Sequence, residues 1–460
     1  MGGDSCWNIS STFGSATNMT QNRRAACLIF NDRYSDNLGD GVIAECLERV
    51  LAKSLPYCQI LTVDISNLSC YPERADVRGP AFAWAEALMR IARSTRLAGI
   101  AARVSAGARL SLVYKKAMRM HLTDCAAIVI GGGNLISGSS DYFARRLQII
   151  VALCRELKIP ILIYSVGVVT LATWERDAAA RLKKTFRSSQ NIVFVSTRDQ
   201  RSAANWSSIF EGREPEICRD PGLLAAEVYE SALGGASVTL ANSKDGRPRV
   251  GIGVINGSLL IGTRTISTAV SAEIHLYSEL AFELIRAGCH PIYFTNGNNH
   301  DESTLSEVKE YNAKNHPEIA NLSEYAIQPR TPEELVTTIA QFHAIVAHRM
   351  HANIIAYSLR IPHVGLSWEK KIEDFFESVG RNQFLVKGGV DARATVGIVM
   401  DAMKEGIDLA RHAEVLGEAH NGMTRLAGAL RLAVHLREPK IGSEKRREHE
   451  PSNACDRTRT

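Results

Sequence analysis

Short apolar runs recur along this chain, most of them closed by glycine, serine or asparagine and followed by a stretch long enough for a helix. That alternation constrains the fold to parallel α/β layers. Ala25–Asn31 reads as a buried strand and Leu38–Ser54 as the helix after it. Ile60–Val63, Cys125–Ile130, Ile161–Val166 and Asn191–Ser196 continue the series. The stretch from Gly234 to Pro248 is loop-like, with Gly-Gly and Asp-Gly pairs, and reads as a linker. A second series then begins with Val250–Val254, the helix Val270–Ala287, and the strands His290–Thr295, Phe342–Ala347 and Ile361–Leu366. The expected fold class is α/β, with two Rossmann-like doubly wound domains, 25–233 and 246–436, facing each other across a cleft. The second is expected to include the C-terminal helices. Segments 1–24 and 437–460, the latter a basic tail, lack apolar periodicity and are expected to be disordered.

A length of 460 residues suits two domains, and 45% hydrophobic with 22% charged residues is a globular composition. No apolar run reaches the roughly 18 to 20 residues that a membrane span needs. The first 25 residues hold no apolar signal core, so the expected location is cytoplasmic. The ten cysteines form no C-x-x-C pair and no Cys/His cluster, so neither a metal site nor a disulfide framework is expected. A net charge of +5 is modest and no nucleic-acid partner is expected, but the charge is unevenly spread. Between Glu86 and Asp124 there is no acidic residue, while Arg90, Arg93, Arg96, Arg103, Arg109, Lys115, Lys116 and Arg119 all occur. This reads as a basic helical insert over 80–123. Its segment 87–123 either makes a peripheral contact with an anionic membrane or is a helical layer packed on the first sheet.

Chemistry is expected at the carboxyl ends of strands, where ligands of open α/β sheets bind. The segment after Phe342–Ala347 reads His348-Arg349-Met350-His351, with Arg349 and His351 at a helix start. Free N–H groups there favour an anion, an arginine fork matches two phosphate or carboxylate oxygens, and an imidazole titrates near neutrality. After the next strand, Ser367-Trp368-Glu369-Lys370-Lys371 places cations at another strand end. In the first domain, Asn37, Gly39 and Asp40 follow the first strand. Asp40 is either a helix cap or an acceptor for sugar hydroxyls.

Taken together, R-M-H, a helix, I-P-x-x-G-L-S and K-I-x-x-F resemble the C-terminal signature of polysaccharide pyruvyl transferases. In order upstream, Asn37-Leu-Gly39-Asp40, Ile128 to Asn134, Ser165-Val-Gly-Val, Arg198-Asp199-x-x-Ser202 and Asp220-Pro221 are similar to that family's motifs. The resemblance spans Ala25 to Gly380 and departs from the pattern at Thr197, His348 and Trp368-Glu369. It implies a two-domain fold like the GT-B architecture of many sugar transferases. It also implies an enzyme that moves the pyruvyl unit of phosphoenolpyruvate onto a sugar as a ketal. Phosphoenolpyruvate is then a co-substrate, no cofactor is needed, and the sugar acceptor is an exopolysaccharide or cell-surface glycan precursor, lipid-linked or free. By the resemblance Arg198, Arg349 and Lys371 bind the donor, and Asn37, Gly39 and Asp40 face the acceptor. His351 is either the acid/base group or only a hydrogen-bond partner of the phosphate. A nucleotide-sugar-dependent glycosyltransferase of the same architecture would also use Arg349 and Lys371. A third reading is a non-catalytic subunit of an exopolysaccharide assembly complex.

Overall fold

A computed structural model of the chain describes residues 25–71, 111–138, 141–170, 173, 175–210, 214–234, 246–257 and 266–435. The terminal segments 1–24 and 437–460, most of the expected linker and the part of the insert before 111 lie outside the described residues.

Two all-parallel sheets form the framework. The first comprises β1 (Ala25–Asn31), β2 (Cys58–Asp64), β3 (Cys125–Gly131), β4 (Ile161–Val166), β5 (Ile192–Thr197) and β6 (Glu216–Ile217), in the order β2-β1-β3-β4-β5-β6. The second comprises β7 (Arg249–Gly253), β8 (His290–Phe294), β9 (Glu324–Tyr325), β10 (Ala344–Ala347), β11 (His363–Leu366) and β12 (Leu385–Val386), in the order β12-β11-β10-β7-β8-β9. Each long apolar run expected to be a strand is one, because a strand covered on both faces needs apolar side chains at every position. The two-residue edge strands β6, β9 and β12 are too short to leave that signature.

Strand order reverses between β1 and β3 in the first sheet and between β7 and β10 in the second. Neighbouring connections leave in opposite directions at such a point, which opens a crevice at the carboxyl ends. The side chains of β1 alternate accordingly. Leu28 and Phe30 enter the core on one face of the first sheet, and Cys27 and Ile29 enter the core on the other. That second core includes α1 (Leu38–Ser54) and continues without a break into the second unit. Cys27, Cys125 and Cys154 are buried core residues.

The last helix departs from the expected domain division. Ala392–Glu405 packs on β10, β11 and Ile266–Arg286, within the second unit. Leu409–His435 instead crosses back and lies on β3, β4, β5 and α1. Its stripe Val415, Ala419, Met423, Leu426 and Leu430 recurs every three to four residues and is buried. Arg219–Glu418 at 2.6 Å and Arg425–Glu216 at 3.3 Å tie it to the first unit. Periodicity announces such a helix but carries no information about which sheet it covers.

The end of the basic insert is a helix over 111–122. Tyr114, Met118 and Leu122 face the first unit, and the Tyr114 hydroxyl donates to the Ile65 carbonyl at 2.8 Å. Its outer side carries Leu112, Val113 and Met120, which are 67%, 69% and 70% exposed beside Lys115 and Lys116. No helix among the described residues is long and apolar enough to cross a membrane.

Candidate functional site

The two crevices face each other, and side chains from both meet there. β10 ends at Ala347. Arg349 is the N-cap of the helix Met350–Ser358, with His351 in its first turn. The imidazole of His351 is largely enclosed: its side chain is 12% exposed, and its buried Nε2 has no hydrogen-bond partner. Burial and then the positive charges of Arg198, Lys371 and Arg349 hold its pKa well below the usual histidine range, so the resting imidazole is neutral.

From the opposite unit, the first turn of α1 presses on this ring. A Cβ on Gly39 would stand 2.3 Å from the Cβ of His351, so only glycine permits the contact. One residue on, Asp40 Oδ1 lies 3.8 Å from His351 Nδ1. Burial raises the Asp40 carboxyl to about 6, against the lowering effect of Lys371, a hydrogen bond from Asn37, Arg349 and Arg198. Asn37 is the N-cap position of α1 but makes no side-chain cap bond. Its amide donates to Asp40 Oδ2 at 3.0 Å, and its backbone neighbour Leu38 donates to the Asn296 carbonyl of the second unit at 3.0 Å. Asn37 is therefore not a side-chain cap, while Asp40 is the acidic residue of the first turn and is held by Asn37.

The three expected cations reach this centre in different states. Arg349 is held by Asp301, with Nε to Oδ2 at 2.9 Å and Nη2 to Oδ1 at 2.8 Å. Asp301 is itself fully buried and accepts from the Asn256 backbone at 2.9 Å. The fork expected to be open to an anion is thus committed through two of its nitrogens. Arg198 is 9% exposed. It donates from Nη2 to Asn134 at 2.8 Å and from Nε to Asp199 at 3.2 Å, while Asp199 caps Gln200–Ile209 through Ser202 N. Lys371, at the start of Lys370–Ser378, pairs with Glu369 at 2.5 Å and lies 5.4 Å from the centroid of the Trp368 ring. Trp368 donates from Nε1 to the His348 carbonyl at 3.0 Å, which fixes the strand end that carries Arg349. His348 is a core residue, its pKa pushed down to about 3 by burial and then by Arg349.

Sequence reasoning missed Asp301 and Glu273, and it quoted Asn134 in a glycine-ended motif without giving it a role. Asp301 and Asn134 act through pairing across more than 40 residues, which no local motif reveals. Glu273 is 5% exposed and neither carboxylate oxygen has a partner; burial and then Asp301 raise it to about 8. Between the units, a cavity of about 440 Å³ opens beside Arg198, lined by Arg201, Arg219, Asp374, Glu418 and Arg425 among others. Arg201 bridges it to Asp374 at 2.6 Å. Among the described residues no three His, Cys, Asp or Glu side chains gather as metal ligands would.

Solved structures with this fold include a UDP-N-acetylglucosamine 2-epimerase, at 10% identity and a TM-score of 0.52 over 92% of this chain and 99% of that one. Another is a putative UDP-N-acetylglucosamine 2-epimerase from Listeria monocytogenes, at 9% identity and a TM-score of 0.51 over 90% of this chain and 97% of that one. At such identity the likeness is one of fold alone, and that fold is the two-domain α/β arrangement of GT-B type. No curated protein matches the sequence. The family model described as polysaccharide pyruvyl transferase matches residues 37–370, from the first turn of α1 to the start of the Lys371 helix. With that match covering most of the chain, the protein belongs to the polysaccharide pyruvyl transferase family.

Proposed function

We propose that the protein transfers the pyruvyl unit of phosphoenolpyruvate to a sugar of an exopolysaccharide or cell-surface glycan precursor, forming a ketal and releasing phosphate. One observation carries this reading: the charges of Arg198, Arg349 and Lys371 converge on a neutral, enclosed His351 whose buried Nε2 lacks a partner. A small frame bearing both phosphate and carboxylate needs several fixed cations and a hydrogen-bond partner between them. Held by Asp301, Asn134 and Asp199, the two arginines are preorganised and lose little freedom on binding. Dianionic phosphate beside His351 opposes the three cations and raises its pKa, so the imidazole gains its proton only with donor present. Protonated, it serves the methylene carbon while a sugar hydroxyl attacks the central carbon. Phosphate then departs and a second hydroxyl closes the ring.

The acceptor reading keeps Asn37, Gly39 and Asp40 facing the sugar from the first unit. A lipid-linked acceptor fits the outer side of the 111–122 helix, which carries Lys115 and Lys116 beside the exposed Leu112, Val113 and Met120.

The test compares donors and variants. Phosphoenolpyruvate at 100 times its Kd should stabilise the protein by about 2.7 kcal/mol, and UDP-sugars should not. Arg349→Ala should abolish donor binding measured by calorimetry. His351→Ala should keep most of the binding and lower turnover by about 10²–10⁴-fold. Stabilisation by a UDP-sugar and none by phosphoenolpyruvate would falsify the donor assignment.

A further inference from the structure

The cavity of about 440 Å³ beside Arg198 has no part in the pyruvyl transfer described above, yet its size is that of a ligand site, about 300–1,000 Å³. Both units build it. The first supplies the start of the helix Gln200–Ile209, the chain after β6 and one face of the last helix. On that face Glu418, Asn421 and Arg425 follow at helical spacing, beside the apolar stripe that seats the helix on the first sheet. The second unit supplies Lys370–Ser378, whose Asp374 and Ser378 continue the stripe that begins at Lys371. Two residues join the cavity to the candidate centre. Arg198 lines it, Lys371 stands one helical turn before Asp374, and the charges of both reach His351.

The chemistry of the walls selects the kind of ligand. Four guanidinium groups stand against four carboxylates, so the cavity has no net charge to draw an anion. Arg201 commits Nε and Nη2 to Asp374, at 2.6 and 2.9 Å, which ties the two units together across the cavity. Arg219 commits only Nε, to Glu418 at 2.6 Å. The remaining nitrogens of both arginines have no hydrogen-bond partner among the described residues, and neither have the side chains of Gln200, Glu377 and Asn421. Donors and acceptors therefore alternate around one space, each with an edge free. A hydroxyl both donates and accepts, so a hydroxyl-rich molecule can meet such a wall on both counts. Ile217, 43% exposed, adds an apolar surface for the C–H groups of a sugar ring.

We propose that this cavity is a glycan subsite, holding the pyranose next to the one that receives the pyruvyl unit. The protein then recognises a stretch of at least two sugars, with Asn37, Gly39 and Asp40 facing one and the walls of the cavity the other. The assignment rests on the pyruvyl-transfer reading for the event at the first sugar. Binding at the second does not require the donor. Because the walls come from both units, a bound chain also bridges them beside the Arg201–Asp374 pair.

The test titrates the full-length protein by calorimetry, without phosphoenolpyruvate, with glucose, galactose and mannose and with the β-1,4-linked trisaccharide of each. At least one trisaccharide should bind about 10-fold or more tightly than its monosaccharide, the equivalent of one or two added hydrogen bonds. Changing Gln200 and Glu377 together to Ala removes side chains with no partner in the fold and should erase that difference. Asn421→Trp, which fills the space from the last helix, should erase it too, with thermal unfolding confirming that both variants stay folded. Six sugars bound equally, or not at all, by the wild type would overturn the proposal. So would a trisaccharide preference that survives in both variants. Phosphoenolpyruvate is titrated separately. Its failure to bind the wild type would overturn the pyruvyl-transfer reading, whereas a trisaccharide preference lost in the variants would still stand as evidence for the subsite.

Discussion

Among single residues, Glu273 shows what burial does to a carboxyl with no partner. It lies one helical turn before Tyr277 and close enough to Asp301 to feel its charge, where a second negative charge is unwelcome. A carboxyl whose folded pKa is raised from 4.5 to about 8 binds its proton more tightly in the folded state than in the unfolded one. Stability from this group is therefore full below the unfolded value and is lost as pH rises to about 8. Replacement by methionine, similar in volume and free of unpaired oxygens, removes that dependence. We expect Glu273→Met to be more stable than the wild type at pH 9 by on the order of 2 kcal/mol, with little difference at pH 4. Thermal unfolding across that range checks it, and parallel curves for the two proteins would show that the carboxyl does not titrate as described. The residues read from motifs, Arg198, Arg349, His351, Lys371, Asn37, Gly39 and Asp40, do converge in space. The pairing of Arg349 with Asp301 and of Arg198 with Asn134 could not be read, because a buried ion pair or amide contact has no local pattern.

Apolar runs located the strands, while element placement did not follow from them. The helix Leu409–His435 is the clearest case: helices were expected at the end of the second domain, and this one lands on the first sheet. Because β3, β4 and β5 are buried on that face by this helix, a core truncation in it should loosen the unit to which it returns. Leu426→Ala should cost about 2–5 kcal/mol. In native-state hydrogen exchange the lost protection should appear in β3 to β5 rather than in β10 and β11. Loss confined to the second sheet would mean that the helix belongs where the chain order alone had put it. α1 is the other element with a double role. It covers the first sheet with Val42, Cys46 and Leu47 and delivers Gly39 and Asp40 to His351.

On the scale of the whole molecule, the units are joined by a continuous core and by the returning helix, and the candidate site lies where their two switch points meet. The 111–122 helix lies on the first unit, with its outer side open. Docking of this side on an anionic surface would add around 1 kcal/mol per basic residue near the surface. Binding to phosphatidylserine vesicles in co-sedimentation should weaken with added salt and be lost when Arg96, Arg103, Arg109 and Lys115 are all changed to Glu. No sedimentation at low salt would leave the helix as a covering layer only.

By itself the sequence determined the kind of layers this chain forms, because covered parallel strands demand unbroken apolar runs and the helices between them demand a period near 3.6. It determined the family too, through motifs short enough to survive as strings. What only the tertiary structure decided is which groups sit together: Gly39 on His351, Asp301 on Arg349, Trp368 on the His348 carbonyl, and the last helix on the first sheet. Those contacts join positions tens to hundreds of residues apart. Their energies depend on burial and geometry that exist only once both sheets have formed and closed on each other.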